Sequence, residues 1–139
     1  MSKDVLRIGE IFLSVQGEGA TVGALSIFIR TTGCTLNCTW CDSVKVWKTK
    51  GIAYTPAALA SFVRQTYEDA LQRGAHVILT GGSPLMQQDG FNVFLTELNS
   101  FRTFVEVETE GVIQPDSNLD CKVSRYNVSP KLANSGMPK

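Results

Sequence analysis

The chain has 139 residues, 43% of them hydrophobic and 19% charged, a composition that allows one packed domain and excludes a disordered polar chain. Lys plus Arg and Asp plus Glu number 13 each, for a formal net charge of +0, so the basic bias of a nucleic-acid binder is missing. No apolar run is long enough to span a bilayer, and the first residues lack the apolar core of a signal peptide, which makes a cytoplasmic protein with no membrane partner the expectation.

Leu6 to Val15 reads as an extended segment, broken by Gly17, Gly19 and Gly23. Leu25 to Arg30 is a short apolar run with two isoleucines and a phenylalanine, the pattern of a buried strand. A cysteine-bearing segment follows it at once. Thr55 can cap a helix with Pro56 at its first position, and Leu59, Phe62, Val63, Ala70 and Leu71 recur at helical spacing up to Gly74, which can end it. His76 to Leu79 is another apolar strand, closed by Thr80-Gly81-Gly82. A shorter helix is predicted over Phe91 to Leu98, a third strand over Phe104 to Thr109 and a fourth over Val123 to Val128. There is no internal repeat, low-complexity tract or linker, so residues 1–139 are expected to form one domain.

Strands alternating with helices predict βαβ units and a parallel sheet, an α/β fold whose ligands bind at the C-terminal ends of strands. The segments Cys34–Cys41, Thr80–Pro84, Glu108–Gly111 and Ser129–Lys131 all follow predicted strands. Glu108 and Glu110 can also be read as the outward face of a strand, and Gly81-Gly82 as an ordinary turn. His76, the single histidine, reads as structural because it lies at the start of its strand.

Cys34, Cys38 and Cys41 form a C-x3-C-x2-C pattern. In a reducing compartment, clustered thiols point to metal or catalysis before disulfides. Three thiolates in eight residues can hold a [4Fe–4S] cluster with one iron open to another ligand. S-adenosylmethionine (SAM) could chelate that iron through its amino and carboxylate groups. The alternative is a non-catalytic zinc module with Cys121 as fourth ligand. Such sites use paired C-x2-C elements, which Cys121 lacks, so Cys121 reads as a small core residue.

Together these segments resemble the radical SAM superfamily and, within it, the 7-carboxy-7-deazaguanine synthase (QueE) family. The likeness runs from Ile8 to Lys131. It is carried by Glu10-Ile-Phe-Leu-Ser-Val-Gln-Gly-Glu-Gly19, Phe28-Ile-Arg30, Gly33-Cys34, Cys41-Asp42-Ser43, Thr80-Gly81-Gly82 and Ser129-Pro130-Lys131. It implies a partial (β/α) barrel of the radical SAM type, truncated relative to the family. It also implies a lyase that converts 6-carboxy-5,6,7,8-tetrahydropterin to 7-carboxy-7-deazaguanine with loss of ammonia, for queuosine or other 7-deazaguanine synthesis. The implied cofactors are the [4Fe–4S] cluster, SAM and Mg²⁺; the implied partners are the pterin, a flavodoxin- or ferredoxin-like reductant and a second copy in a homodimer.

Site roles follow from the resemblance. Val15, Gln16, Gly17, Glu18, Arg30 and Thr80 would contact substrate, Arg30 gripping its carboxylate with a bidentate guanidinium. Trp40, Cys41, Asp42, Gly82, Ser129, Pro130 and Lys131 would contact SAM. The metal ligands would be Cys34, Cys38 and Cys41 for the cluster and Ser43 for Mg²⁺, a hard cation suited to an oxygen ligand. No side chain is assigned as a catalytic acid or base. A glycyl-radical-enzyme activase, which shares the cysteine loop, is the enzymatic alternative.

Three departures stand out. The family pattern Gly-Gly-Glu-Pro is Gly81-Gly82-Ser83-Pro84 here, so the glutamate expected on the SAM amino group is a serine. The usual Glu-Thr-Asn-Gly is Glu108-Thr-Glu-Gly111. Family members continue past Ser-Pro-Lys with further strands, whereas this chain has eight residues after Lys131. A fragment, a minimal viral-type variant and half of a dimer-completed site all remain open.

Overall fold

A computed structural model of the chain describes residues 5–32, 51–98 and 102–130. Six strands form an open sheet: β1 (Leu6–Val15), β2 (Leu25–Thr31), β3 (Ile52–Tyr54), β4 (His76–Gly81), β5 (Val105–Thr109) and β6 (Arg125–Val128), in the order β3-β1-β2-β4-β5-β6. The run β2-β4-β5-β6 is parallel, as the alternation of strands and helices predicts. β1 instead pairs antiparallel with both β2 and β3. The reason is chain length: residues 16–24 suffice for a hairpin but not for the crossover that parallel pairing needs. β3, three residues long, carries too little pattern to be seen in the sequence.

The pleat gives the sheet two chemically different faces. Ile27 and Ile29 of β2, Val77 and Leu79 of β4, and Val105 and Val107 of β5 point to one side. They pack there under α1 (Pro56–Thr66) and α3 (Gln88–Leu98) through Leu59, Ala60, Val63, Phe91, Phe94, Leu95 and Leu98, forming the apolar core. The opposite face carries no helix among the described residues and presents Phe28, Arg30, Thr80, Glu106 and Glu108. A register shift between Ile8 and Glu10 in β1 lets Leu6, Ile8 and Ile11 all face the core, while Glu10 lies opposite Arg30 and Phe12 opposite Phe28.

Thr55 caps α1 by accepting from Ala58 N at 3.1 Å, with Pro56 next, as expected. The single helix expected up to Gly74 breaks at Tyr67, which leaves helical geometry (φ −120°, ψ 26°), and resumes as α2 (Glu68–Gln72). Tyr67 is partly buried against the core and its hydroxyl reaches the Ile11 carbonyl at 3.5 Å. α3 starts at Gln88, before the predicted Phe91, because a 3₁₀ turn over Pro84–Gln87 feeds directly into it. A short α4 (Ser117–Asp120), capped by Asp116, precedes β6. Cys121 follows it and is exposed, not in the core; its thiol donates to the Asn118 carbonyl at 3.1 Å.

No helix among the described residues is long and apolar enough to cross a membrane.

Candidate active site

The helix-free face gathers most of the predicted substrate residues. Arg30 emerges near the end of β2, ion-paired to Glu10 at 2.9 Å, with its guanidinium carbon 5.6 Å above the Phe12 ring. Phe12 stacks on Phe28 at 5.0 Å, so the arginine rests on an aromatic floor. On β4, Thr80 donates to Glu108 Oε1 at 2.6 Å.

The connection from β1 to β2 starts at the opposite rim and lies across this face. Gln16 closes it with backbone bonds to Gly23 and Ala24. Thr21 donates to Glu106 Oε1 at 2.7 Å, Asn127 of β6 donates to the same oxygen at 3.0 Å, and His76 Nδ1 lies 3.0 Å from Oε2. Glu106 is fully buried, which alone would raise its pKa. The hydrogen bonds from His76, Thr21 and Asn127, with the charge of His76, outweigh burial and hold it below the usual carboxylate value. His76 therefore serves the loop anchor, in keeping with a structural role at the start of its strand.

With the loop in place, Gln16 and Glu18 reach Glu108. Burial, then hydrogen bonding and repulsion from Glu18, push Glu108 up to about 7 against the lowering effect of Thr80 and Gln16. Glu108 is thus no plain outward strand charge; burial and the neighbouring Glu18 favour its protonated form. Gln16 is only 2% exposed, and its amide Nε2 makes no close hydrogen bond although it faces Glu108. Val15 and Gly17 are exposed at either side of it. An arginine oriented by Glu10, a buried amide donor and a carboxyl with a raised pKa thus meet on one face.

The C-terminal rim of β2, β4, β5 and β6 forms a second cluster. Gly81 has φ +111°, and a Cβ there would run into the Thr31 backbone, so only glycine lets β4 end this close to β2. Gly82 N donates to the Thr31 carbonyl at 3.2 Å, and Ser129 N to the Thr109 carbonyl at 2.9 Å. Ser83, fully buried, donates to Glu110 Oε1 at 2.7 Å. Pro130 is exposed beside Ser129.

Cys34, Cys38, Trp40, Cys41, Asp42, Ser43 and Lys131 lie outside the described residues. The two ends of the segment that carries the cysteines are firmly held. Gln87 donates to the carbonyls of Arg7 (3.1 Å) and Thr32 (3.3 Å) and accepts from Arg7 N at 2.7 Å. Gly51, at φ +65°, sits where a Cβ would meet the Ile8 carbonyl and the Thr32 methyl. Gln87, Glu106 and Asn127 escaped the sequence reading, and Glu10 entered it only as the first residue of a motif, with no role. Each is a polar residue whose partner lies across the sheet, a relation that no local pattern signals. Cys121 lies three residues before Ser124, which bonds to Val105 at the start of β5. That is the opposite rim of the sheet from Thr32.

Comparison with known proteins now adds a family. The model of the 4Fe-4S single cluster domain family matches residues 15–107. The chain belongs to this family. Within the 4Fe-4S single cluster domain family, its relatives are consistent in name. It is 38% identical over 133 residues to 7-carboxy-7-deazaguanine synthase of Pyrobaculum aerophilum, covering 95% of this chain and 58% of the relative. It is 40% identical over 131 residues to the synthase of Halobacterium salinarum (94% and 47%). The crystal structure of QueE from Escherichia coli superposes with a TM-score of 0.70 at 27% identity, covering 92% of this chain and 60% of that one. The chain thus spans about half the length of the curated relatives it matches. The resemblance read from the motifs and the partial barrel-type sheet both agree with these comparisons.

Proposed function

We propose that the chain is a radical SAM lyase that converts 6-carboxy-5,6,7,8-tetrahydropterin to 7-carboxy-7-deazaguanine and ammonia. The observation that carries this reading is the convergence of Arg30, Thr80, Gln16, Glu18 and Glu108 on one helix-free face of a sheet whose relatives bear that name. The cluster and SAM, when bound, supply the one-electron chemistry that removes a hydrogen from carbon. Cys34, Cys38 and Cys41 would hold the cluster, and Trp40, Cys41, Asp42, Gly82, Ser129, Pro130 and Lys131 would line SAM. Ser43 would ligate Mg²⁺. A flavodoxin- or ferredoxin-like reductant would deliver the electron, and a second copy would complete a homodimer.

The chain's own residues bind, orient and shield. Arg30 takes the substrate carboxylate, held in position by Glu10 and the Phe12 ring. Glu108, its pKa raised by burial and by Glu18, would offer a carboxyl that can donate as well as accept to the ring amide and amines of a pterin. Thr80 fixes the Glu108 rotamer. The Gln16–Ala24 connection lies over the face and keeps water from it, tied down by Glu106.

The test is anaerobic reconstitution followed by incubation with SAM, reductant and the carboxytetrahydropterin. A brown protein with about four irons per chain that releases 7-carboxy-7-deazaguanine and ammonia supports the reading. Arg30→Ala should raise KM for the pterin while iron content stays unchanged. A colourless chain holding one zinc, or an iron-loaded chain that never turns the pterin over, would refute it.

A further inference from the structure

We propose that Glu110 supplies the carboxylate that receives the ammonium group of the SAM amino-acid moiety, with Ser83 as its positioning residue; this rests on the SAM-dependent reading above. Two departures from the resembling pattern meet in space. At position 83 the expected glutamate is a serine, whose short neutral side chain cannot supply a charge. At position 110 the expected asparagine is a glutamate. β4 and β5 are parallel neighbours with Leu79 opposite Val107, so the residues after each strand reach the same rim. There Ser83 Oγ donates to Glu110 Oε1 at 2.7 Å, with Ser83 fully buried and Glu110 only 8% exposed. Among the described residues of this corner, the carboxylate is attached after β5 and the serine after β4.

The chemistry suits a cationic ligand group. A carboxylate offers about four acceptor sites, so accepting from Ser83 is compatible with accepting from an ammonium. Shielding from water strengthens that attraction over the same pair at the surface. The Ser83 hydroxyl fixes the carboxylate's direction, so little rotamer freedom is lost when the ligand arrives. Gly82 and Ser129, the neighbouring rim residues, lend backbone rather than charge. Glu110 thus provides the negative charge that Ser83 has given up.

The experiment measures binding by the anaerobically reconstituted chain, using SAM and 5′-methylthioadenosine, which keeps the nucleoside and lacks the amino acid. Glu110→Gln should weaken SAM by about 10- to 100-fold, the value of one hydrogen bond to a charged group, and leave methylthioadenosine unchanged. Ser83→Ala should fall between wild type and Glu110→Gln. The double exchange S83E/E110N, which returns the charge to β4, should recover SAM binding, and it decides the matter if Glu110→Gln loses its iron. Undiminished SAM binding by Glu110→Gln, equal loss for both ligands, or an iron-loaded double variant that stays weak would each overturn this assignment alone. An iron-loaded wild type that binds no SAM would overturn the reading beneath it as well.

Discussion

Replacing Glu108 by glutamine isolates the energetic consequence of holding a carboxyl beside Glu18 beneath a loop. The folded chain lifts this group to about 7, first through burial and then through Glu18, against an ordinary value of 4.5. Between those two values the unfolded chain has released a proton that the folded chain keeps. The folded state then binds more protons, so stability falls as pH rises through the window. Below it both states hold the proton, and above it both have lost it and the destabilisation is complete. At about 1.4 kcal/mol per pKa unit the ceiling is about 3 kcal/mol, and partial exposure of Glu108 to water lowers the expectation to about 2 kcal/mol. Glutamine cannot titrate, so the wild-type stability minus that of Glu108→Gln should drop by this amount between about pH 4.5 and 7 and be flat outside. Urea unfolding followed by circular dichroism at a series of pH values measures it directly. A difference that stays constant through the window would show that Glu108 is an ordinary surface acid and would remove its proton donor from the proposed substrate site. Glu18→Gln should shrink the drop, since one source of the upward push is gone.

Other perturbations report on the scaffold. Glu106→Leu strips the acceptor from His76, Thr21 and Asn127 at once and should cost about 3 kcal/mol, with faster proteolysis within residues 16–24; an unchanged cleavage rate would argue that Glu106 does not anchor that connection. Gly81→Ala places a methyl against the Thr31 backbone at positive φ, and a loss of about 2–4 kcal/mol in thermal or urea unfolding is expected, whereas a neutral result would contradict the close approach of β4 to β2. Gln87→Ala removes three hydrogen bonds at the end of β2 and should cost about 2–3 kcal/mol, together with quicker iron loss from the reconstituted chain.

Much of the parallel half of the sheet was legible because its signals are local. Apolar runs at Leu25–Arg30 and His76–Leu79, the Thr55-Pro56 cap and the helical spacing of Leu59 and Val63 each announce themselves within one turn or strand. What was illegible depends on distant partners. β3 exists because Leu6 to Ile8 offer it an edge, and the break at Tyr67 reflects packing on the core and a bond to Ile11. The site divides in the same way. Arg30, Thr80, Gln16 and Glu18 came from motif resemblance, and the structure brings them to one face. The raised Glu108 and the Ser83–Glu110 bond needed the lateral neighbours of β4 and β5, which no spacing along the chain encodes.

The two-sided pleat has an evolutionary consequence. In β2, β4 and β5 the odd-numbered residues Ile27, Ile29, Val77, Leu79, Val105 and Val107 are committed to solubility and abundance, while the even-numbered Arg30, Thr80 and Glu108 are released from that duty. Variation at Arg30, Thr80 and Glu108 can therefore explore new ligands with less risk to yield than variation in the apolar core. A saturation library scored separately for expression and for turnover should place Ile27, Ile29, Val77, Leu79, Val105 and Val107 in the first group and Arg30, Thr80 and Glu108 in the second.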